Sequence, residues 1–174
     1  MDIISINAAE IVTSLKQSGM RICCAESCTG GMIAAAITDI AGSSAVFSRG
    51  FVTYSNQAKI NMLGVKPETL NLHGAVSGQT VSEMASGAIT ASEDEADFAV
   101  AVSGIAGPDG GTVDVSGIAG PDGGTVEKPV GLVYICVLKK GEVGQVTRYV
   151  FDGDRQSIRT QTVENALKTI RSLM

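Results

Sequence analysis

The chain predicts an α/β fold: a three-layer α/β/α sandwich with a mixed parallel and antiparallel sheet of about four to six strands. Three observations lead there. Segments with helical spacing of apolar residues alternate with short runs of strand character. The first of those runs ends in a glycine turn that opens into an Ala-rich helix, a strand–turn–helix unit. The last two strand-like runs are joined around Lys139-Lys140-Gly141, as in an antiparallel hairpin. A sheet that takes both kinds of connection is mixed.

Each element follows from local pattern. Ile6, Ala9, Ile11, Val12 and Leu15 fall near helical spacing and Ser18-Gly19 stops the run, so an amphipathic helix opens the chain. Residues 21–25 read as an apolar strand, 26–31 as a tight turn and 32–39 as an Ala-rich helix. The turn AGSS at 41–44 leads to a strand over 47–54, and a short helix over 57–63 ends at Gly64. Pro67 begins another helix. Residues 77–92 form a longer one, with Val81, Met84, Ala85, Ala88 and Ile89 on one face, and 97–102 form a central strand. Strands over 130–138 and 146–151 make the hairpin. A helix from Asp154 closes the chain, burying Ile158, Val163, Ala166, Leu167, Ile170 and Leu173.

Composition bounds the function. A length of 174 residues, 44% apolar and 18% charged, matches one domain over residues 1–174 with enough apolar mass for a core. Thirteen Lys and Arg against 18 Asp and Glu leave a net charge of −5, which sets no general field for nucleic acid or anionic lipid. No apolar run approaches the roughly 20 residues of a membrane span, and Met1-Asp2-Ile3-Ile4 lacks the basic start of a secretory signal. The expected setting is therefore cytoplasmic. The cysteines, Cys23, Cys24, Cys28 and Cys136, suit a reduced compartment better than a disulfide framework and form no paired zinc motif. The single histidine, His73, excludes schemes that need two and reads as a helix-end residue.

One feature departs from ordinary patterning. Residues 102–114 (VSGIAGPDGGTVD) are followed at once by residues 115–127 (VSGIAGPDGGTVE), a tandem duplication within 102–127 that differs only in its last position. The pair has too few apolar residues for a solenoid and reads as an enlarged surface loop, since doubling a loop adds only about 0.6 kcal/mol of closure entropy. Ser103 ends a strand directly, so the first copy is expected to keep the strand-end geometry and Ser116 to be the displaced one.

Four segments can carry chemistry. Residues 26–31 place small polar side chains and bare backbone between a strand and a helix, where open α/β sheets bind ligands. The N–H groups of such a turn suit an anion or an oxyanion; equally, Ser27 or Thr29 is a helix cap and the glycines serve the turn. Tyr54, Ser55, Asn56 and Lys59 stand at a strand end and the next helical turn. A lysine in an apolar cleft becomes a base near neutral pH, and with one imidazole in the chain a serine nucleophile here would need Lys59; spacing alone favours a solvated surface lysine. The loop from Ser103 to Gly111 permits close ligand approach but lacks the Gly-Lys-Ser/Thr ending of a P-loop. Arg155 and Arg159 lie one turn apart at a helix start, where the dipole disfavours cations, so either an anion or the neighbouring acids Asp152, Asp154 and Glu164 answer them.

These motifs, AESCTGG (25–31), AGSS (41–44), FVTYSN (51–56) with Lys59, GAVS (74–77), SGIAGPDGG (103–111), KPVG (128–131) and GDR (153–155), taken in this order over nearly the whole chain, resemble the CinA C-terminal domain family. Enzymatic members of that family are nicotinamide-nucleotide amidases. The resemblance implies hydrolysis of the carboxamide of nicotinamide mononucleotide to nicotinate mononucleotide and ammonia, with no metal or organic cofactor. It implies an enzyme that acts without the larger N-terminal domain of two-domain relatives. Carried over by motif, Ser27 is the nucleophile, Lys59 its general base and Tyr54 a proton-relay or positioning partner. Thr29, Gly30 and Gly31 supply backbone N–H groups, while Ser44, Asn56, Ser103, Gly104 and Arg155 hold the substrate. The partner is a phosphorylated small molecule, and a homo-oligomer is expected. Two further readings stand beside this one: an amidase built on Cys28 with Lys59 and Glu26, and a catalytically silent nucleotide-binding protein.

Overall fold

The computed structural model describes residues 2–107 and 126–174. In chain order the elements are α1 (Ile3–Ser18), β1 (Ile22–Glu26), α2 (Met32–Thr38), a short 3-10 turn (Ser43–Ala45), β2 (Phe47–Val52), α3 (Asn56–Leu63), α4 (Pro67–His73), α5 (Gly78–Ala91), β3 (Phe98–Gly104), β4 (Leu132–Lys139), β5 (Gln145–Val150) and α6 (Arg155–Ser172). The five strands form one sheet in the order β2-β1-β3-β4-β5. β1 runs parallel to β2 and β3, whereas β3–β4 and β4–β5 are antiparallel. The mixed sheet, the hairpin and the three layers are as the sequence predicts. The duplicated segment from 108 to 125, with Ser116, lies outside the described residues.

Helix ends match their sequence signals. Asp2, Ser55, Ser77 and Asp154 cap α1, α3, α5 and α6 by accepting a backbone N–H with their side chains. Gly19 and Gly64 close α1 and α3 in the left-handed conformation. The buried stripe of α1 is displaced from the expected one: Asn7, Ala8, Ile11, Val12 and Leu15 face inward, while Ile6 is 37% exposed. The Asn7 amide oxygen accepts from Arg171 of α6 inside the helix–helix seam, while its amide nitrogen is buried with no partner among the described residues. At the other end, Leu173 lies past α6 and is exposed rather than buried.

Strand alternation divides the core in two. Ile22 and Cys24 of β1 face a layer with α1, α2 and α6; Cys23 and Ala25 face a layer with α3, α4 and α5. On the second face Gly87 of α5 is needed by sterics, since a Cβ there would stand 1.9 Å from the Leu63 carbonyl oxygen. Its absence lets α5 seat the end of α3, the short helix that carries Lys59.

Replacing Gly87 by Ala is therefore expected to lower stability by about 2 kcal/mol through overpacking against rigid backbone. Urea denaturation checks this, and an unchanged midpoint would show that α3 yields without cost.

Candidate active site

The site is built at the carboxyl ends of the parallel strands, where the ladder continues a residue beyond each strand. The Thr53 N–H donates to the Glu26 carbonyl at 2.8 Å, and the Ser27 N–H to the Val102 carbonyl at 3.1 Å. Thr53, Ser27 and Ser103 thus stand side by side on adjacent chains, spaced by about 4.8 Å as neighbouring strands are. Alternation sends Glu26 toward α2 and Ser27 toward α3.

Glu26 organises the turn. Fully buried, its carboxylate accepts from the Thr29 hydroxyl at 2.6 Å and from the backbone N–H groups of Gly31 at 3.1 Å, Ile33 at 3.0 Å and Ala34 at 2.8 Å. The expectation that Ser27 or Thr29 caps α2 is corrected: the N-cap position is Gly31, and the carboxylate from the preceding strand does the capping. Gly30 (φ 60°) and Gly31 (φ 101°) bend the chain through the left-handed region so that this return is possible. From the opposite side Arg159 donates to the Cys28 and Thr29 carbonyls at 3.1 and 3.0 Å, clasping the turn to α6.

Lys59 is the unusual residue. It is 1% exposed, one helical turn from buried Leu63, and its Nζ donates to the Thr53 carbonyl at 2.8 Å and to Ser27 Oγ at 3.2 Å. No carboxylate pairs with it among the described residues. Burial lowers its pKa to about 8, which makes a neutral amine accessible near physiological pH. Ser27 is 8% exposed, so the hydroxyl lies at the edge of solvent and the lysine behind it.

The remaining predicted residues divide. Arg155 reaches across the site, donating to the Tyr54 hydroxyl at 2.7 Å and to the Gly107 carbonyl at 3.1 Å, with no carboxylate partner among the described residues. Tyr54 is 59% exposed and its hydroxyl is bonded to Arg155, not to Ser27 or Lys59. It belongs to the rim. Asn56 is half-buried in the first turn of α3. The Ser103 hydroxyl donates to the Ala75 carbonyl at 2.7 Å, which leaves it acceptor lone pairs only. Of the expected backbone donors, the Gly30 N–H is used by the Ser27 carbonyl and the Gly31 N–H by Glu26; that of Thr29 has no acceptor among the described residues. The Thr29 hydroxyl is held by Glu26. Gly104 is shaped by packing, since a Cβ would stand 2.6 Å from Val133 Cγ2. Ser44 precedes β2 and lies at the amino end of that strand, away from the carboxyl ends where Ser27 and Lys59 meet. His73 ends α4, as expected.

Glu26 is spent on the helix cap, so the Cys28–Lys59–Glu26 trio lacks a free carboxylate. Cys28 lies in the layer of α1, α2 and α6, where burial pushes its thiol up to about 12 while the nearby Lys59 charge acts to lower it. Sequence reasoning passed over Glu26 as a cap, because its partners lie up to Ala34, outside any capping-box spacing. It also passed over Thr53, which resembles any other strand residue.

The depressed Lys59 pKa links to stability. An unfolded lysine keeps its proton to about 10.4, while folded Lys59 releases it near 8, so the unfolded chain binds more protons in that window and Lys59 contributes stability that grows as pH rises. The buried thiols act in the opposite sense above their ordinary values, so the difference between Lys59→Met and the parent isolates the lysine. Lys59→Met is expected to be the more stable at pH 7, its advantage shrinking by about 2 kcal/mol by pH 10. Denaturation at both pH values measures it, and a constant difference would contradict a depressed pKa.

Known proteins share this sequence pattern and fold. The family model described as CinA C-terminal domain matches residues 5–116 and 112–174, two stretches that meet inside the duplicated segment. The chain is 49% identical over 161 residues to "Nicotinamide-nucleotide amidohydrolase PncC" of Escherichia coli strain K12, covering 92% of this chain and 88% of that protein. It is 47% identical to "CinA-like protein" of Geobacter sp. strain M21, covering 92% of this chain and 35% of that longer protein. Among solved structures, the competence/damage inducible protein CihA from Agrobacterium tumefaciens superposes with a TM-score of 0.87 at 45% identity, covering 99% of this chain and 96% of that one. The chain belongs to the CinA C-terminal domain family.

Proposed function

We propose that this protein is an amidohydrolase that converts nicotinamide mononucleotide and water to nicotinate mononucleotide and ammonia, using Ser27 as nucleophile and Lys59 as its base. The observation that carries the reading is the buried Lys59 amine 3.2 Å from Ser27 Oγ, with no carboxylate beside it. The relatives named as nicotinamide-nucleotide amidohydrolases support the substrate.

In this mechanism neutral Lys59 takes the Ser27 proton as Oγ attacks the carboxamide carbon. The open N–H group of Thr29 receives the developing oxyanion. When the tetrahedral intermediate collapses, Lys59 returns the proton to the departing nitrogen, the C–N bond breaks and ammonia leaves an ester on Ser27. Water, deprotonated by Lys59, then attacks the ester and the Ser27 oxygen recovers its proton. Arg155 receives the substrate phosphate: a guanidinium whose partners are both neutral retains its full charge for an anion. Tyr54 and Asn56 line the entrance, and Ser103 accepts from a substrate donor. Gly30, Gly31 and Gly104 serve through backbone shape, and Ser44 takes no part. A cytoplasmic homo-oligomer is the setting that goes with this reading; among the described residues no helix is long and apolar enough to cross a membrane.

Ammonia release from nicotinamide mononucleotide tests the proposal. Ser27→Ala and Lys59→Met are each expected to lower kcat by about 1000-fold or more, while Arg155→Met raises KM about tenfold or more with a smaller effect on kcat. In the parent, kcat/KM is expected to rise with pH through about 8, as Lys59 loses its proton. Full turnover in Ser27→Ala would overturn the assignment, and binding without ammonia release in the parent would indicate a silent nucleotide-binding protein.

A further inference from the structure

Thr53 sits against the base but has no part in the reaction as written. Fully buried, it uses its carbonyl to accept from Lys59 Nζ at 2.8 Å and its N–H to continue the ladder to Glu26. Its side-chain hydroxyl is buried with no hydrogen-bond partner among the described residues. Native proteins seldom leave a buried hydroxyl unmatched, and valine would fill the same volume without the penalty. The alternation that brings Ala25 and Phe51 to the α3 side of the sheet brings Thr53 to that side as well, next to Ser27.

A neutral Lys59 amine has two N–H bonds and one lone pair: with the Ser27 hydroxyl donating to the lone pair, the Thr53 carbonyl takes one N–H and the other is unmet. Once it holds the serine proton it has three N–H bonds, and these two partners leave one of them unmet. We infer that Thr53 is a positioning residue for the base, its hydroxyl supplying the third acceptor of the Lys59 ammonium that forms during the reaction. This rests on the Ser27–Lys59 reading. Titratable groups on the elements around Lys59 have other engagements. Glu26 caps α2, Glu83 of α5 accepts from Lys66 and Thr69, Tyr54 is bonded to Arg155, and Arg159 is bonded to the turn carbonyls; Cys28, buried in the other layer, is the one group that acts on Lys59 through its charge, and it favours the ammonium.

Thr53→Val removes the acceptor at constant shape, and Thr53→Ser restores it. Because a hydrogen bond from a charged donor is about twice as strong as a neutral one, losing it disfavours the ammonium. The valine variant is expected to move the Lys59 titration, and the rising limb of kcat/KM, down by about half to one pH unit. The serine variant should keep the parent profile. Lys59 is followed by NMR of its side-chain Cε in the resting protein, a readout independent of turnover, with Lys59→Met identifying the resonance. An unshifted Lys59 titration in a folded Thr53→Val variant would overturn this inference and leave the Ser27–Lys59 reading intact. Turnover retained in Lys59→Met would instead remove the reading on which it rests.

Discussion

The Glu26 carboxylate joins the strand, the turn and the helix on which the site is assembled. It ends β1 inside the sheet and meets the first N–H groups of α2, so a helix only seven residues long starts at a fixed angle without a cap of its own. Because consecutive strand residues point to opposite faces, fixing Glu26 toward α2 fixes Ser27 toward α3. Arg159 clasps the same turn from α6. Ser27 thus stands on a segment held by two helices of one layer and, through Lys59, by α3 of the other, the preorganisation that an acyl-transfer nucleophile requires.

Lys59, the proposed base, arises from a different constraint. A lysine amine buried among apolar neighbours with no counter-charge favours its neutral form, and a pKa lowered from 10.5 to about 8 corresponds to roughly 3 kcal/mol of that preference. The fold sustains this because Gly87 lets α5 press against the end of α3 and because the Thr53 carbonyl offers a neutral acceptor. The cation was not removed from the neighbourhood; it was placed at the rim, where Arg155 bridges the Tyr54 hydroxyl and the Gly107 carbonyl. One region therefore presents an amine that is easily made neutral inside and a positive charge outside, a division suited to the proposed amide hydrolysis of a phosphorylated molecule.

Much of this was legible in the sequence because it is local. The stops Gly19 and Gly64, the helix start at Asp154 and the stripe of α5 act within a few residues of themselves, and they fell where pattern put them. Lys59 was legible as a candidate, since a chain with one imidazole leaves a serine nucleophile in need of another base, but its burial depends on α5 and on the end of β2. What sequence did not show was set by register and direction. Ser44 and Tyr54 flank the same strand at opposite ends, and only the parallel pairing of β2 with β1 decides which end meets Ser27. Glu26 looked like a turn residue because its acceptor role spans the turn, and the place of Tyr54 at the rim follows from Arg155, which is remote in sequence.

The most direct measurement is rapid chemical quench of the protein turning over nicotinamide mononucleotide, followed by peptide mass spectrometry. A nicotinate-mononucleotide ester on the peptide containing Ser27, absent in Ser27→Ala and still formed in Cys28→Ala, is the predicted result. Steady ammonia release with no covalent adduct, or an adduct carried by Cys28, would contradict the account.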